Sequence, residues 1–264
     1  MRQLVFSVLV VCGLSVSAFA QSGTLVIVGG GDTGPDIVAK TIALAGGAKA
    51  IVAVLPQSSA EPDAGNASVA MWREAGARDA VKVGFQDRAA AEAALRRATL
   101  IWIPGGDQSR FMKAIAGTGL ADVILERFRQ GAVVGGTSAG AAVMSGAMIT
   151  GEADLQALTS GRTELVPGLG LWPEVIVDQH FLKRQRSNRL ISAVLDRRTL
   201  VGVGIDESTA VIVHGSSFDV VGRSSVVVID PRGAAIDAAS AGQPATGRDL
   251  KLTVLRAGMS YTLK

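Results

Sequence analysis

The chain has 264 residues, 48% of them hydrophobic and 19% charged, with a net charge of +3 and a single cysteine, Cys12. That length suffices for one domain with a large buried core. A net charge so small gives no bulk electrostatic argument for nucleic acid or a membrane surface as a partner, so any functional charge must be local.

Arg2 is followed by an apolar stretch over 4–14 and then by Ala18-Phe19-Ala20. A charged start, a hydrophobic segment of secretory length and an A-x-A site predict a signal peptide over 1–20, cleaved after Ala20. The apolar run falls short of the ~20 residues a bilayer span needs. A lipoprotein reading on Cys12 is disfavoured by the bulky Val11 before it. The expected mature protein is a single domain over 21–264, periplasmic or secreted, with no membrane contact once the leader is gone. Without Cys12 it has no disulfide and no thiolate ligand, so its stability must come from packing.

Apolar runs of strand length follow at 25–28, 50–55, 99–103, 132–134, 175–177, 200–205 and 210–213. Most early ones alternate with helix-like segments; helices are expected at 35–45, 69–77, 89–98, 108–116, 121–130, 140–144 and 186–196. Continuous Val/Ile/Leu strands separated by helices predict an α/β fold, a three-layer α/β/α sandwich around a mostly parallel sheet buried on both faces. Beyond Thr209 short strands at 211–214, 217–221, 225–229 and 250–256 read as an antiparallel extension of the same domain. The segments 57–66 and 234–247 read as surface loops.

Open α/β sheets bind ligands beyond the carboxyl ends of their strands, and four strand ends here carry unusual residues. The first is Gly29-Gly30-Gly31-Asp32-Thr33-Gly34, which satisfies G-x-G-x-x-G. The next strand ends Val54-Leu55-Pro56-Gln57, without the carboxylate that a dinucleotide ribose requires, so these glycines read as a close-packed turn near the site and no cofactor is expected. The second is Pro104-Gly105-Gly106-Asp107-Gln108. The third is Gly135-Gly136-Thr137-Ser138-Ala139-Gly140, a G-x-S-x-G elbow that projects one hydroxyl beside backbone N–H groups. The fourth is Asp178-Gln179-His180.

Serine needs a base, and the chain has only His180 and His214. His180 follows a strand and is the better-placed base; His214 ends an apolar strand and reads as an ordinary histidine. Asp206 and Glu207, at another strand end, could each accept the imidazole N–H. A Ser, acid, His order as in α/β-hydrolases would instead need His214 with Asp178 or Asp206. Lys183, Arg184, Arg186 and Arg189 put four cations within seven residues of one another, just past His180. They read either as a solvated helix face or as a clamp for an acidic substrate. The sequence lacks a His/Cys cluster with metal-ligand spacing, and no metal is expected.

G-G-D-Q at 105–108, G-G-T-S-A-G-A at 135–141, D-Q-H-F at 178–181, the spaced Arg184, Arg186 and Arg189, and G-I-D-E at 204–207 together resemble the cyanophycinases. These are serine exopeptidases related to aspartyl dipeptidase (peptidase E), on a fold similar to class I glutamine amidotransferases. The resemblance runs in order over 25–229. It implies a flavodoxin-like domain with Ser138 as nucleophile, His180 as base and Glu207 as orienting acid. Gln108, Asp178, Gln179, Arg184, Arg186 and Arg189 match the family's substrate-pocket positions, and Ala139 with Gly105 and Gly106 would supply the oxyanion N–H groups. The implied substrate is an acidic peptide or polymer, an aspartate backbone whose side-chain carboxyls carry arginine, cut to β-aspartyl-arginine. An α-aspartyl dipeptidase, a non-catalytic binding module for a small acidic ligand, and a homodimer stay open.

Overall fold

The computed structural model describes residues 23–151 and 153–263, so the expected signal peptide lies outside the described residues. In chain order the first half contains β1 (Thr24–Val28), α1 (Pro35–Leu44), β2 (Ile51–Val54), α2 (Asn66–Glu74), β3 (Asp79–Lys82), α3 (Arg88–Arg97), β4 (Leu100–Ile103), α4 (Gln108–Ile115), α5 (Leu120–Arg129) and β5 (Val133–Thr137). It continues with α6 (Ala139–Ala142), β6 (Ala147–Ile149), β7 (Leu165–Pro167), β8 (Val175–Asp178), α7 (Ser187–Asp196), β9 (Val201–Ile205) and β10 (Thr209–His214). The tail adds β11 (Ser217–Gly222), β12 (Ser225–Asp230), β13 (Ala235–Ile236), β14 (Gly247–Arg248), β15 (Lys251–Arg256) and β16 (Ser260–Thr262).

The main sheet has the order β16-β11-β10-β1-β5-β4-β2-β3. Its five strands from β1 to β3 are parallel, and β10, β11 and β16 continue it antiparallel. Strands β2 to β5 follow the 2-1-3-4 part of the flavodoxin-like order, and β1 takes the fifth place. Both faces are covered, which is why the strands are apolar without interruption. Successive residues of β1 enter opposite layers: Val26 and Val28 pack with Ile37 and Trp72 on the side of α1 and α2. Leu25 and Ile27 pack with Leu95, Phe111 and Ile124 on the other. Each such aliphatic side chain contributes about 1.5–3 kcal/mol by burial.

One expectation needs correction. The runs at 175–177 and 200–205 do not join the main sheet; β8 and β9 form a separate four-stranded sheet of order β15-β12-β9-β8. Val203, Ile205, Val226 and Val228 face the main core, while Ile176, Val227 and Ile229 face Leu190 and Val194 of α7. A strand buried between a core and a helix is apolar on both faces whichever sheet it belongs to, so its sequence cannot name the sheet. The antiparallel tail is therefore shared: β10, β11 and β16 extend the main sheet, and β12 and β15 build the second. Strand β3 escapes pattern reading because it is a charged edge strand in which only Ala80 is buried. Among the described residues no helix is long and apolar enough to cross a membrane.

Candidate active site

Strand β5 lies between β1 and β4, and Ser138 follows it directly. The turn is sharp: Ser138 has φ of 54°, and its N–H donates to the carbonyl of Val28 at 3.1 Å. The two flanking glycines of the elbow answer to β4. A Cβ at Gly136 would lie 2.6 Å from the Ile103 carbonyl oxygen, and one at Gly140 only 1.9 Å from it. Helix α6 can thus leave the strand at this angle only with glycine at both positions.

His180 comes from the end of β8 and Glu207 from the end of β9. The Oγ of Ser138 lies 2.9 Å from Nε2 of His180, and Nδ1 of His180 lies 2.6 Å from Oε1 of Glu207. His180, 7% exposed, also has positive φ, 47°, as does Ser208 beside Glu207, 52°. Three of the five non-glycine residues with positive φ among the described residues therefore belong to this rim, and such conformations concentrate where surrounding structure over-determines them. The glycine turn after β1 is what they lean on: Gly29 accepts from the His180 N–H at 2.6 Å and Gly30 from the Ser208 N–H at 2.8 Å.

The choice between the two adjacent carboxylates is decided by geometry. Glu207 meets the imidazole, whereas Asp206 accepts the backbone N–H groups of Leu182 and Lys183 and the hydroxyl of Ser224. His214 pairs with Thr24 at the start of β1, and its Nδ1 lies 3.1 Å from the Thr24 hydroxyl. That is the opposite edge of the sheet from Ser138, so the rival order through His214 is ruled out.

Gly105 backs the serine: a Cβ there would lie 3.4 Å from the Ser138 Cβ. The Gly105-Gly106 turn is fastened by Ser58, 2% exposed, whose hydroxyl lies 2.8 Å from the Gly105 carbonyl and 3.0 Å from that of Pro104. The Ser58 carbonyl accepts from the Asp107 N–H at 2.8 Å. Asp107 caps α4 through Ser109 and Arg110, and Gln108 is buried with its amide donating to Ile149 at 3.0 Å. Ala139 opens α6, where N–H groups have no intrahelical acceptor. Ser58 falls within 57–66, expected to be surface loop; as it follows the carboxyl end of β2, the strand-end rule applied to the other loops would have found it.

The six expected pocket positions divide. Asp178 is fully buried and held on both carboxylate oxygens by Arg189, itself 4% exposed, through Nη2 and through Nε at 2.8 Å. These two residues form a buried ion pair, so each already engages the other's charged group. Arg186 donates through Nη1 to both the backbone carbonyl and Oε1 of Gln179, each at 2.7 Å, and so fixes that side chain. Arg184 is exposed, beside the base. The cation run is thus neither a plain solvated face nor four equal clamps.

Burial pushes the His180 pKa below its ordinary value; the Glu207 hydrogen bond opposes this, and the positive fields of Arg184 and Arg186 add to it. The imidazole is therefore neutral at neutral pH, the form that takes a proton. Arg186 is pushed down to about 10, mainly by burial and next by Arg189, and stays charged. Burial alone would raise Asp206, but hydrogen bonds from Ser224 and from the backbone of Lys183, Glu207 and Leu182 hold it below the usual carboxylate range.

A serine in a strained elbow at the carboxyl end of the parallel strands of the main sheet, hydrogen-bonded to an imidazole that is backed by a carboxylate, both from strand ends of the second sheet, defines a serine-type hydrolase. The profile of peptidase family S51 matches residues 36–221, and the chain belongs to this family of serine-type peptidases. It is 35% identical over 261 residues to the cyanophycinase of Geminocystis herdmanii, an alignment covering 93% of this chain and 95% of the relative. Identity to the cyanophycinase of Synechococcus elongatus is also 35%, over 92% of this chain and 80% of the relative. Among solved structures, a peptidase from an acI-B1 Actinobacterium shares the fold with a TM-score of 0.63 at 21% identity, over 93% of this chain and 99% of that one. A peptidase E protein from Listeria monocytogenes does so with 0.58 at 16% identity, over 76% and 99%.

Proposed function

We propose that the chain is an exopeptidase that hydrolyses cyanophycin to β-aspartyl-arginine dipeptides through Ser138, His180 and Glu207. The observation that carries the reading is the unbroken hydrogen-bond series from the Ser138 hydroxyl through His180 to Glu207. Identity of 35% to cyanophycinases over nearly the whole chain supports the substrate.

In this mechanism Ser138 attacks an aspartyl peptide carbonyl as Nε2 of His180 takes its proton, and Glu207 stabilises the imidazolium through Nδ1. Backbone N–H groups of Ala139 and of the Gly105-Gly106 turn stabilise the tetrahedral oxyanion. His180 then protonates the leaving amine, and water, activated by the same imidazole, releases the acyl group from Ser138. Gln108, Gln179 and the guanidinium groups of Arg184 and Arg186 orient the substrate's carboxyl groups; Asp178 and Arg189 support them from below. The leader expected over 1–20 makes export part of the proposal, with polymer outside the cytoplasm as the substrate.

The test is incubation of the protein with cyanophycin and, separately, with Asp-X dipeptides, followed by mass analysis of the products. Release of β-aspartyl-arginine from the polymer is expected. Cleavage of α-linked Asp-X dipeptides with the polymer left intact overturns the substrate assignment.

A further inference from the structure

We propose that Asp206 is a positioning residue, whose carboxylate holds the main chain after His180 so that the imidazole stays in line between Ser138 and Glu207. The inference rests on the reading of those three residues given above. Asp206 sits immediately before Glu207 in the same loop and is 9% exposed. Its Oδ1 accepts the N–H of Leu182 at 3.1 Å and of Lys183 at 2.9 Å, and its Oδ2 accepts the Ser224 hydroxyl at 2.7 Å. Its own N–H donates to the carbonyl of Ser225 at 3.2 Å. One side chain thus ties the turn after the base to the loop that carries the orienting acid and to the entry of β12.

The accounting of backbone donors around the base shows why this matters. The N–H of His180 goes to Gly29, that of Phe181 to Ile205 and that of Arg184 back to His180, all main-chain acceptors. The two N–H groups between them, of Leu182 and Lys183, go to Asp206. His180 has a φ of 47°, which a non-glycine residue keeps only where its surroundings over-determine it. Main-chain acceptors hold His180, Phe181 and Arg184, and Asp206 holds the two residues of the turn between them. Asp206 and Glu207 then divide the work: one holds the backbone of the base and the other holds its ring. The same clamp sets where Arg184 and Arg186 start.

The distinguishing experiment compares Asp206→Ala, Asp206→Asn and Ser138→Ala in the full chain. Each is measured for kcat and KM on cyanophycin and for the rate of labelling by a fluorophosphonate probe, with rates normalised to the folded fraction. Asparagine keeps a carbonyl oxygen for the two N–H groups and an amide donor for the Ser224 oxygen, so Asp206→Asn should retain most of the labelling rate and of kcat. Asp206→Ala should lose on the order of 100-fold in both, the cost of a misplacement near 1 Å at a reacting group. A merely structural role lowers the folded fraction but not the normalised labelling rate. Should Asp206→Ala fail to fold, Asp206→Glu replaces it, since it keeps the charge but moves the acceptor oxygen by one bond, and the same loss is expected. Wild-type normalised labelling in the Ala or Glu variant overturns the inference, as does an Asn variant as impaired as either. Ser138→Ala separates the two levels. If it is inert while Asp206→Ala behaves as wild type, only the positioning role falls; if it still turns over polymer, the underlying mechanism falls with it.

Discussion

The main chain at Gly30 lies against the ring of His180, so close that a Cβ at position 30 would sit 2.3 Å from Cε1 and 2.5 Å from Nε2. Gly30 also has φ of 106°, a conformation that side chains rarely adopt. A turn that resembles part of a nucleotide-binding fingerprint is thus a wall of the rim that holds Ser138, His180 and Glu207. Gly30 leaves room for the imidazole, and Nε2, one of the ring atoms that a side chain there would crowd, is the one that meets Ser138.

Gly30→Ala is accordingly expected to disable the enzyme while leaving most of its packing intact. The added methyl group pushes the imidazole off the serine, so kcat on cyanophycin should fall on the order of 100-fold. The backbone strain should lower stability by about 1–2 kcal/mol. Kinetics and denaturant unfolding measured on the same preparation check both numbers, and wild-type turnover would show that the ring does not need its present place.

The pH profile follows from the direction of the His180 shift. In the proposed mechanism His180 must be neutral in the free enzyme, and burial, Arg184 and Arg186 all favour the neutral form against the pull of Glu207. The acid limb of kcat/KM should therefore lie below the ordinary histidine value of about 6.5, with activity rising as pH increases through it. Arg184→Gln removes one of the fields that lower this pKa, so the limb should move up toward the ordinary value. A limb that stays in place, measured at constant ionic strength, would mean that the Arg184 charge does not reach the ring.

How far these features could be read in advance depended on whether a residue's role is set locally. The elbow was legible because Gly136 and Gly140 are required by the approach of α6 to Ile103, and local backbone needs leave a local pattern. His180 was legible as a polar residue at a strand end. The separate sheet of β8, β9, β12 and β15 was not, since burial on both faces looks the same in either sheet. Residue types and spacing left Glu207 and Asp206 open, because neighbours in one turn differ only in where that turn points them; only the family resemblance implied Glu207. The partnership of Asp178 with Arg189 depends on α7 folding back on β8, which brings together residues eleven apart in sequence. The resemblance to the cyanophycinases implied pocket positions for both, and neither residue's type signals that they pair with each other.

That buried partnership makes a stability prediction distinct from the kinetic ones. Arg189→Met leaves the fully buried carboxylate of Asp178 without its bidentate partner; Nη1 of Arg186, 3.9 Å away, is the nearest remaining cation. Breaking one side of such a pair typically costs about 3–5 kcal/mol, whereas replacing both partners by apolar groups of similar size costs far less. The double variant Asp178→Leu with Arg189→Met should thus unfold at a higher denaturant concentration than Arg189→Met alone. The reverse order would mean that Asp178 is compensated by other groups.

Glu207→Gln tests the third member of the series without changing its size. The carboxylate lies 2.6 Å from Nδ1 of His180 and is half-buried, so it can hold the ring and stabilise the imidazolium as the serine gives up its proton. An amide of the same shape can still touch Nδ1, but it supplies no charge and can present its own N–H to the ring, favouring the tautomer in which Nε2 is already protonated and cannot accept. In serine hydrolases the equivalent change costs up to about 10⁴ in kcat. The expected result is a loss of kcat of that order with KM little changed, since Glu207 makes no substrate contact in the proposed mechanism. If the variant kept kcat and raised KM instead, Glu207 would belong to the binding surface, and the imidazole would have to be oriented by the backbone clamp at Asp206 alone.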